Sequence, residues 1–335
     1  MKCNMDTWKN DLIASGRVAA LPIMTYPGLE LSGKKLMDIV RKGEDQAVCI
    51  ESLAKRYNSV AAVTVMDLSV EAEAFGSNVK YSETEVPTVI GHMVTDMKDA
   101  EALRVPAVGV GRTTAYLKAT ELAVARITDR PVFGGIIGPF SLAGRLMDMT
   151  AIMVAMMRQS DTVTIVLEKC AAFLVEYAKA IKGAGANGIV IAEPAAGLLS
   201  PKQCDKFSSC YVKQIVDAVQ DENFMIVLHN CGKTVKLVDS MVSTGAAAYH
   251  IGNAVSMTDI MPQMPSGKLV MGNINPSGTF RIGTVEQMVE EVNGLLDEMS
   301  DYNNFVLSSG CDIPPGTPLD NIDAFFATLE KYNNK

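Results

Sequence analysis

The chain has 335 residues, 48% of them hydrophobic and 20% charged, which is enough apolar material for a large core and too much for a disordered chain. The formal net charge is −8, with no Lys/Arg-rich run interleaved with aromatics, so nucleic acid is excluded as a partner. The opening segment MKCNMDTWKNDLIASG has no signal-peptide core, and no run of about 18 apolar residues follows, so the expectation is no membrane and a cytoplasmic location.

Along the chain, strand-length apolar runs alternate with helix-periodic stretches, the pattern of parallel β/α units. After an N-terminal helical extension over residues 1–20, eight runs are expected as strands: Leu21 to Tyr26, Val60 to Met66, Val132 to Pro139, Gly188 to Glu193, Phe224 to His229, Ala246 to Ile251, Leu269 to Asn273 and Phe305 to Ser308. Several are continuously apolar and rich in Val and Ile, as strands covered on both faces are. Between them, Ser200-Pro201 predicts a capped helix start with Phe207, Tyr211 and Ile215 on one stripe. Thr284 with Gln287 predicts a capping box, and the helix through Ile181 should stop at Gly183 and Gly185. No linker or low-complexity tract divides the chain. The expected fold is a (β/α)₈ TIM barrel, one domain over residues 1–335, with a longer excursion between the second and third strands.

In such barrels the chemistry sits at the C-terminal strand ends, and this sequence puts polar residues there repeatedly. They are Thr25 and Tyr26, Asp67, Ser141 after Phe140, Glu193, His229 and Cys231, His250 and Asn253, Asn273 and Asn275, then Cys311 and Asp312. The most specific signal is His229-x-Cys231 in MIVLHNCGK. Side chains two apart on a strand point the same way, so an imidazole and a thiolate reach one point. Cys311 in NFVLSSGCDIPPG supplies a second sulfur. One nitrogen and two sulfurs with an open fourth position describe a catalytic zinc better than a structural one. The remaining cysteines, Cys3, Cys49, Cys170, Cys204 and Cys210, read as unpaired thiols.

The segments VMDLSVEAEAFG, GGIIGPFSLAGRLM, GIVIAEPAAGLLSP, VLHNCGKTVKLVDSMVSTGAAAY, MGNINPSGTF and SSGCDIPPGTPLDNIDAF resemble the uroporphyrinogen decarboxylase superfamily, which includes the zinc-dependent corrinoid methyltransferases. The decarboxylase branch implies an arginine-rich N-terminal segment for substrate carboxylates and an Asp after the second strand. Asp67 matches that Asp, but LPIMTYPGLELSG contains no arginine and Arg17 stands alone before it. The methyltransferase branch implies His-x-Cys and a distant Cys as zinc ligands, matched by His229, Cys231 and Cys311. Two thiolates and a neutral imidazole cancel the 2+ charge, so a substrate thiol entering the fourth position would lose its proton and become a nucleophile for the methyl group of methylcob(III)alamin.

The resemblance therefore implies methyl transfer between a corrinoid, carried on a partner corrinoid protein, and a small thiol or related methylated substrate. Asp67 and Glu71 are candidates to accept the thiol proton, against plain helix capping. Glu193 is a candidate to orient substrate, against a surface salt bridge. Tyr26, Phe140, Ser141, Asn253 and Asn273 are the candidates for holding the corrinoid. His250 reads as a packed histidine, and Gly252-Asn253 stands where the family often has an acidic residue. Most of Met147, Met149, Met153, Met156 and Met157 read as core filler, with a Met-rich flap as the other reading. Two alternatives stay open: a uroporphyrinogen decarboxylase using Asp67 without zinc, and a non-catalytic tetrapyrrole or corrinoid carrier. A homo-oligomer is also left open.

Overall fold

The computed structural model describes residues 3–334. Among the described residues there are ten strands: β1 Ala19–Ala20, β2 Ala62–Val63, β3 Asn78–Lys80, β4 Thr88–Ile90, β5 Val132–Ile137, β6 Gly188–Ala192, β7 Met225–Asn230, β8 Ala248–Ile251, β9 Leu269–Ile274 and β10 Phe305–Ser309. Eight form one parallel sheet in the order β1-β10-β9-β8-β7-β6-β5-β2, and β3 and β4 pair as a separate antiparallel hairpin. The seam between β1 and β2 is closed by the Val60 N–H donating to the Ala20 carbonyl at 2.9 Å. The eight parallel strands thus form a (β/α)₈ barrel.

Each barrel strand alternates between two apolar layers. On β7, Met225 and Val227 face the interior with Phe133, Val190, Ala248, Met271 and Val306. Ile226 and Leu228 face the surrounding helices with Ile189, Ile191 and Val270. Continuing the inward parity puts His229 inside, and β8 (Ala248, then His250) and β10 (Val306, then Ser308) do the same at the same end. The other end is closed by helix Met5–Ala14, whose Met5, Trp8, Leu12 and Ile13 join the interior cluster. An N-terminal helix is thus present, but it ends at Ala14, and Ala19–Ala20 of the expected 1–20 extension are already a barrel strand.

The first strand, Ala19–Ala20, lies wholly before the expected run Leu21 to Tyr26, and the second, Ala62–Val63, covers only two residues of Val60 to Met66. Leu21 still donates to Leu307, but Pro22 has no N–H and the Ile23 N–H goes to the Ser309 hydroxyl instead of a backbone carbonyl. The extended segment therefore leaves the ladder after Leu21 and carries Ile23 and Tyr26 over the barrel mouth. On the second run Thr64 N–H still pairs with Phe133, but its side-chain hydroxyl replaces the next backbone acceptor for Gly135.

The helix signals have their expected structures. Ser200 and Gln203 close a capping box with Pro201 at the first helical position, Thr284 and Gln287 close another, and helix Ser160–Gly183 ends just before Gly185 at φ +93°. The long excursion after β2 holds the β3–β4 hairpin and helices Met97–Ala102 and Thr113–Arg126. Among the described residues no single helix is long and apolar enough to cross a membrane.

Candidate metal centre at the barrel mouth

His229 ends the inward-facing row of β7, and Cys231 follows two residues later as the chain leaves the sheet. Gly252 packs directly against that turn: a methyl group on it would lie 2.3 Å from the Cys231 Cα, so only glycine lets the two backbones pass. The Gly252 N–H donates to the Asn230 carbonyl, and Asn273 holds the same loop by donating to the carbonyls of Gly252 and Val255 at 3.0 and 2.8 Å. Cys311 arrives from β10, with strands β8 and β9 intervening. Its loop is fastened at Gly310 to Ile274 and at Ile313 to Ile23 by backbone hydrogen bonds.

The ligating atoms of His229, Cys231 and Cys311 all lie within 4.8 Å of one another. The Cys311 Sγ is 3.6 Å from the His229 Nε2. Zinc bonds of about 2.3 Å to sulfur and 2.0–2.1 Å to nitrogen, at a tetrahedral angle, separate the two donor atoms by about 3.6 Å, so the spacing suits one tetrahedral ion. The two thiols share a proton: hydrogen bonding from Cys311, and then the neighbouring His229, pulls the Cys231 thiol down to about 4, while its thiolate partner and burial push Cys311 up. The contacts within the cluster therefore favour the thiolate form of Cys231 over that of Cys311.

Behind the cluster lies a buried polar row. The Nδ1 of His229 is 2.8 Å from the Nδ1 of His250 and 3.3 Å from the His250 carbonyl, and the His250 Nε2 is 2.8 Å from the Ser308 Oγ. Burial, and then the adjacent His229, holds the His250 imidazole well below its usual range, which keeps it neutral. Of the sequence candidates His250 was the packed histidine, and packed it is, directly against a candidate ligand.

In front of the cluster is a cavity of about 330 Å³. It is lined by His229, Cys231, Cys311 and Asp312, by Tyr26 and Met66, by Val86 to Val89 from the hairpin, and by Arg145. Arg145 makes no hydrogen bond or ion pair with another described residue, and burial pulls its guanidinium below the usual range. Asp312 accepts from the Thr25 hydroxyl at 3.0 Å, and burial pushes its carboxyl up to about 8.

The expected acids are elsewhere. Asp67 does not line the cavity: its carboxylate forms an ion pair with Arg112 and accepts from Ser69 and from the Tyr116 hydroxyl. Arg112 also holds Glu73 at 2.6 Å, and Glu73 in turn accepts from Tyr81 of the hairpin, so this cluster braces the turn that covers the cavity. Glu193 is no surface ion pair. It is buried and accepts from the backbone N–H groups of Phe140 and Ser141, capping the start of helix Pro139–Met147. Glu71 is also buried. One oxygen accepts from the Ile137 N–H at 2.9 Å, the other has no partner among the described residues, and burial pushes the carboxyl up to about 7.

Of the residues expected to hold a corrinoid, Tyr26 lines the cavity and donates to the Met66 carbonyl. Phe140 and Ser141 are sealed in the core beside Glu193, Asn273 is turned to its loop, and Asn253 is exposed on that loop. Met147 and Met156 are buried, whereas Met157 is 76% exposed, so the methionine cluster is mainly core. Arg112, Tyr116 and Arg145 were not singled out from sequence: their partners or cavity are reached only through the fold. His250 and Ser308 carried a usable signal, the inward parity of their strands.

Comparison with known proteins fits this geometry. Residues 23–332 match the family model described as uroporphyrinogen decarboxylase (URO-D). The chain belongs to the uroporphyrinogen decarboxylase family. It is similar to methylcobamide:CoM methyltransferase MtbA of Methanosarcina acetivorans, 28% identical over 92% of this chain and 90% of that protein. It is 30% identical to MtbA of Methanosarcina mazei over 79% of this chain and 78% of that protein. A uroporphyrinogen decarboxylase of Hydrogenovibrio crunogenus is 23% identical over 95% and 92%. Among solved structures, a methyltransferase from Methanosarcina mazei superposes with a TM-score of 0.87 at 23% identity, covering 98% of this chain and 99% of that one, a likeness of fold.

The buried Glu71 generates a pH prediction. A carboxyl raised from 4.5 to about 7 favours the folded state while protonated, so that stability is full below about pH 4.5 and lost as pH rises through about 7. Glu71→Gln cannot ionise. In chemical denaturation the wild type should lose stability relative to Glu71→Gln between pH 4.5 and 7, by on the order of a few kcal/mol. A difference that stays flat over that interval contradicts this account of Glu71.

Proposed function

We propose that this protein is a zinc-dependent corrinoid methyltransferase, moving a methyl group between methylcobalamin on a partner corrinoid protein and a small thiol. The observation that carries the reading is the His229–Cys231–Cys311 cluster facing the cavity. Zinc held by these three residues would have one position of a tetrahedral set left for a ligand, and all three residues line that cavity. Zinc held there would keep an entering thiol as its thiolate at neutral pH. Such a thiolate would attack the methyl carbon of methylcobalamin as substrate, forming the S–CH₃ bond while the cobalt–carbon bond breaks with its electron pair left on cobalt as cob(I)alamin. The relatives named for methylcobamide:CoM methyl transfer, aligned over most of the chain, support the same reading.

The chain's own residues shape the site around that step. Val86 to Val89, at the end of the hairpin turn and the start of β4, and Tyr26 provide largely apolar walls. Arg145, cationic and unpaired among the described residues, lines the same cavity and suits an anionic group on the acceptor. The decarboxylase alternative fits less well. A substrate with eight carboxylates would meet one guanidinium among the cavity-lining residues, and Asp67, the matching acid, is already neutralised by Arg112.

Two outcomes are expected. Purified protein should carry one zinc per chain and convert methylcobalamin to cob(I)alamin with a thiol, read from the visible spectrum, and Cys231→Ser should lose most of both. Zinc that survives Cys231→Ser unchanged, or turnover of uroporphyrinogen, would reverse the assignment. Second, Arg145→Ala should raise KM for thiols with an anionic tail by ~10–100-fold, the loss of a charge-assisted contact, while the KM for a neutral thiol stays within about 3-fold. Equal effects on both would remove Arg145 from substrate binding.

A further inference from the structure

The polar row behind the cluster has a direction. The Ser308 hydroxyl donates its only proton to the Leu21 carbonyl at 2.7 Å, so toward His250, 2.8 Å away, its oxygen can only accept. The Nε2 of His250 must then carry hydrogen. A neutral imidazole has one N–H, so the Nδ1 of the buried His250 presents its lone pair. Across 2.8 Å it faces the Nδ1 of His229. Two lone pairs cannot face each other at that distance, so His229 donates from Nδ1. The His250 carbonyl, 3.3 Å from the same nitrogen, asks for the same proton. The tautomer left to His229 has a bare Nε2, and that is the nitrogen 3.6 Å from the Cys311 sulfur.

We infer that Leu21, Ser308 and His250 form a fixed hydrogen-bond relay that locks His229 in the Nδ1–H tautomer, making its Nε2 a ready metal ligand before any metal arrives. His250 and Ser308 are thus positioning residues, acting through His229. The inference rests on the zinc reading above and adds to it two residues outside the ligand set. All three side chains are supplied by inward-facing positions of β7, β8 and β10, so the lock is built into strand register. Its effect on the metal is to remove the tautomer and ring-rotation cost from binding.

The test has two independent readouts. The chain contains three histidines, His92, His229 and His250, few enough to assign by nitrogen NMR of histidine-labelled, metal-free protein. His229 should be the Nδ1–H tautomer and His250 the Nε2–H tautomer. His229 protonated on Nε2 in that state overturns the relay, and no variant is needed to see it. Zinc competition against a chelator supplies the second readout. His250→Phe and Ser308→Ala should bind zinc ~10-fold or more weakly at unchanged one-to-one stoichiometry, and Ser308→Thr, which keeps the hydroxyl, should restore affinity to within about 3-fold. Unchanged affinity in His250→Phe overturns the relay and leaves the zinc reading standing. An unsubstituted protein that takes up no zinc overturns the zinc reading, and the relay's role with it.

Discussion

Two thiols and an imidazole, delivered by strands that do not touch, have to meet within a few ångström, and much of this fold answers that demand. Barrel closure brings the ends of β7 and β10 to one rim across two intervening strands. The period-two alternation of those strands then decides which side chains face inward, so a one-residue slip in either would turn His229 or Ser308 out among the helices. Gly252 and Gly310 let the two loops pack closely, and Asn273 holds the first of them by its carbonyls. That crowding also lowers the Cys231 thiol below its usual range, since the Cys311 thiol and the His229 ring are near enough to stabilise its thiolate.

The rim's other polar residues divide into supports and wall. Asp67, Glu71 and Glu193 look like catalytic acids in sequence because they follow strands. In the structure each is turned into the framework: one against Arg112, one on the Ile137 amide, one capping a helix. Their burial strengthens those contacts and removes them from the cavity. What remains to meet a ligand is a small set: the three candidate ligands, Tyr26, Asp312, the hairpin turn and one unpaired arginine. A site so poor in cations and so rich in soft donors favours sulfur chemistry over the binding of a polycarboxylate.

Periodicity made the barrel legible, because buried parallel strands are continuously apolar and the capping residues at Ser200 and Thr284 mark helix starts locally. Strand ends were less legible. Pro22 ends β1 through a missing donor, and the apolar run beyond it has another use, lining the mouth. The ligand trio was readable because His-x-Cys spacing on a strand has few other consequences. Arg112 was not: it reaches Asp67, 45 positions away, from a loop with no periodic signal. Arg145 was hidden for the opposite reason, since it lies in a helix whose other residues are almost all core. The role of His250 needed both parity and partner, and only the first is written in the sequence.

What His229, Cys231 and Cys311 hold decides the chemistry of the site. X-ray absorption at the zinc edge of the loaded protein measures this directly. The account predicts one nitrogen at about 2.0–2.1 Å and two sulfurs at about 2.3 Å, with a third sulfur appearing at the same distance when a substrate thiol is added. A shell of nitrogen and oxygen alone, or a sulfur count that a thiol does not change, would contradict it.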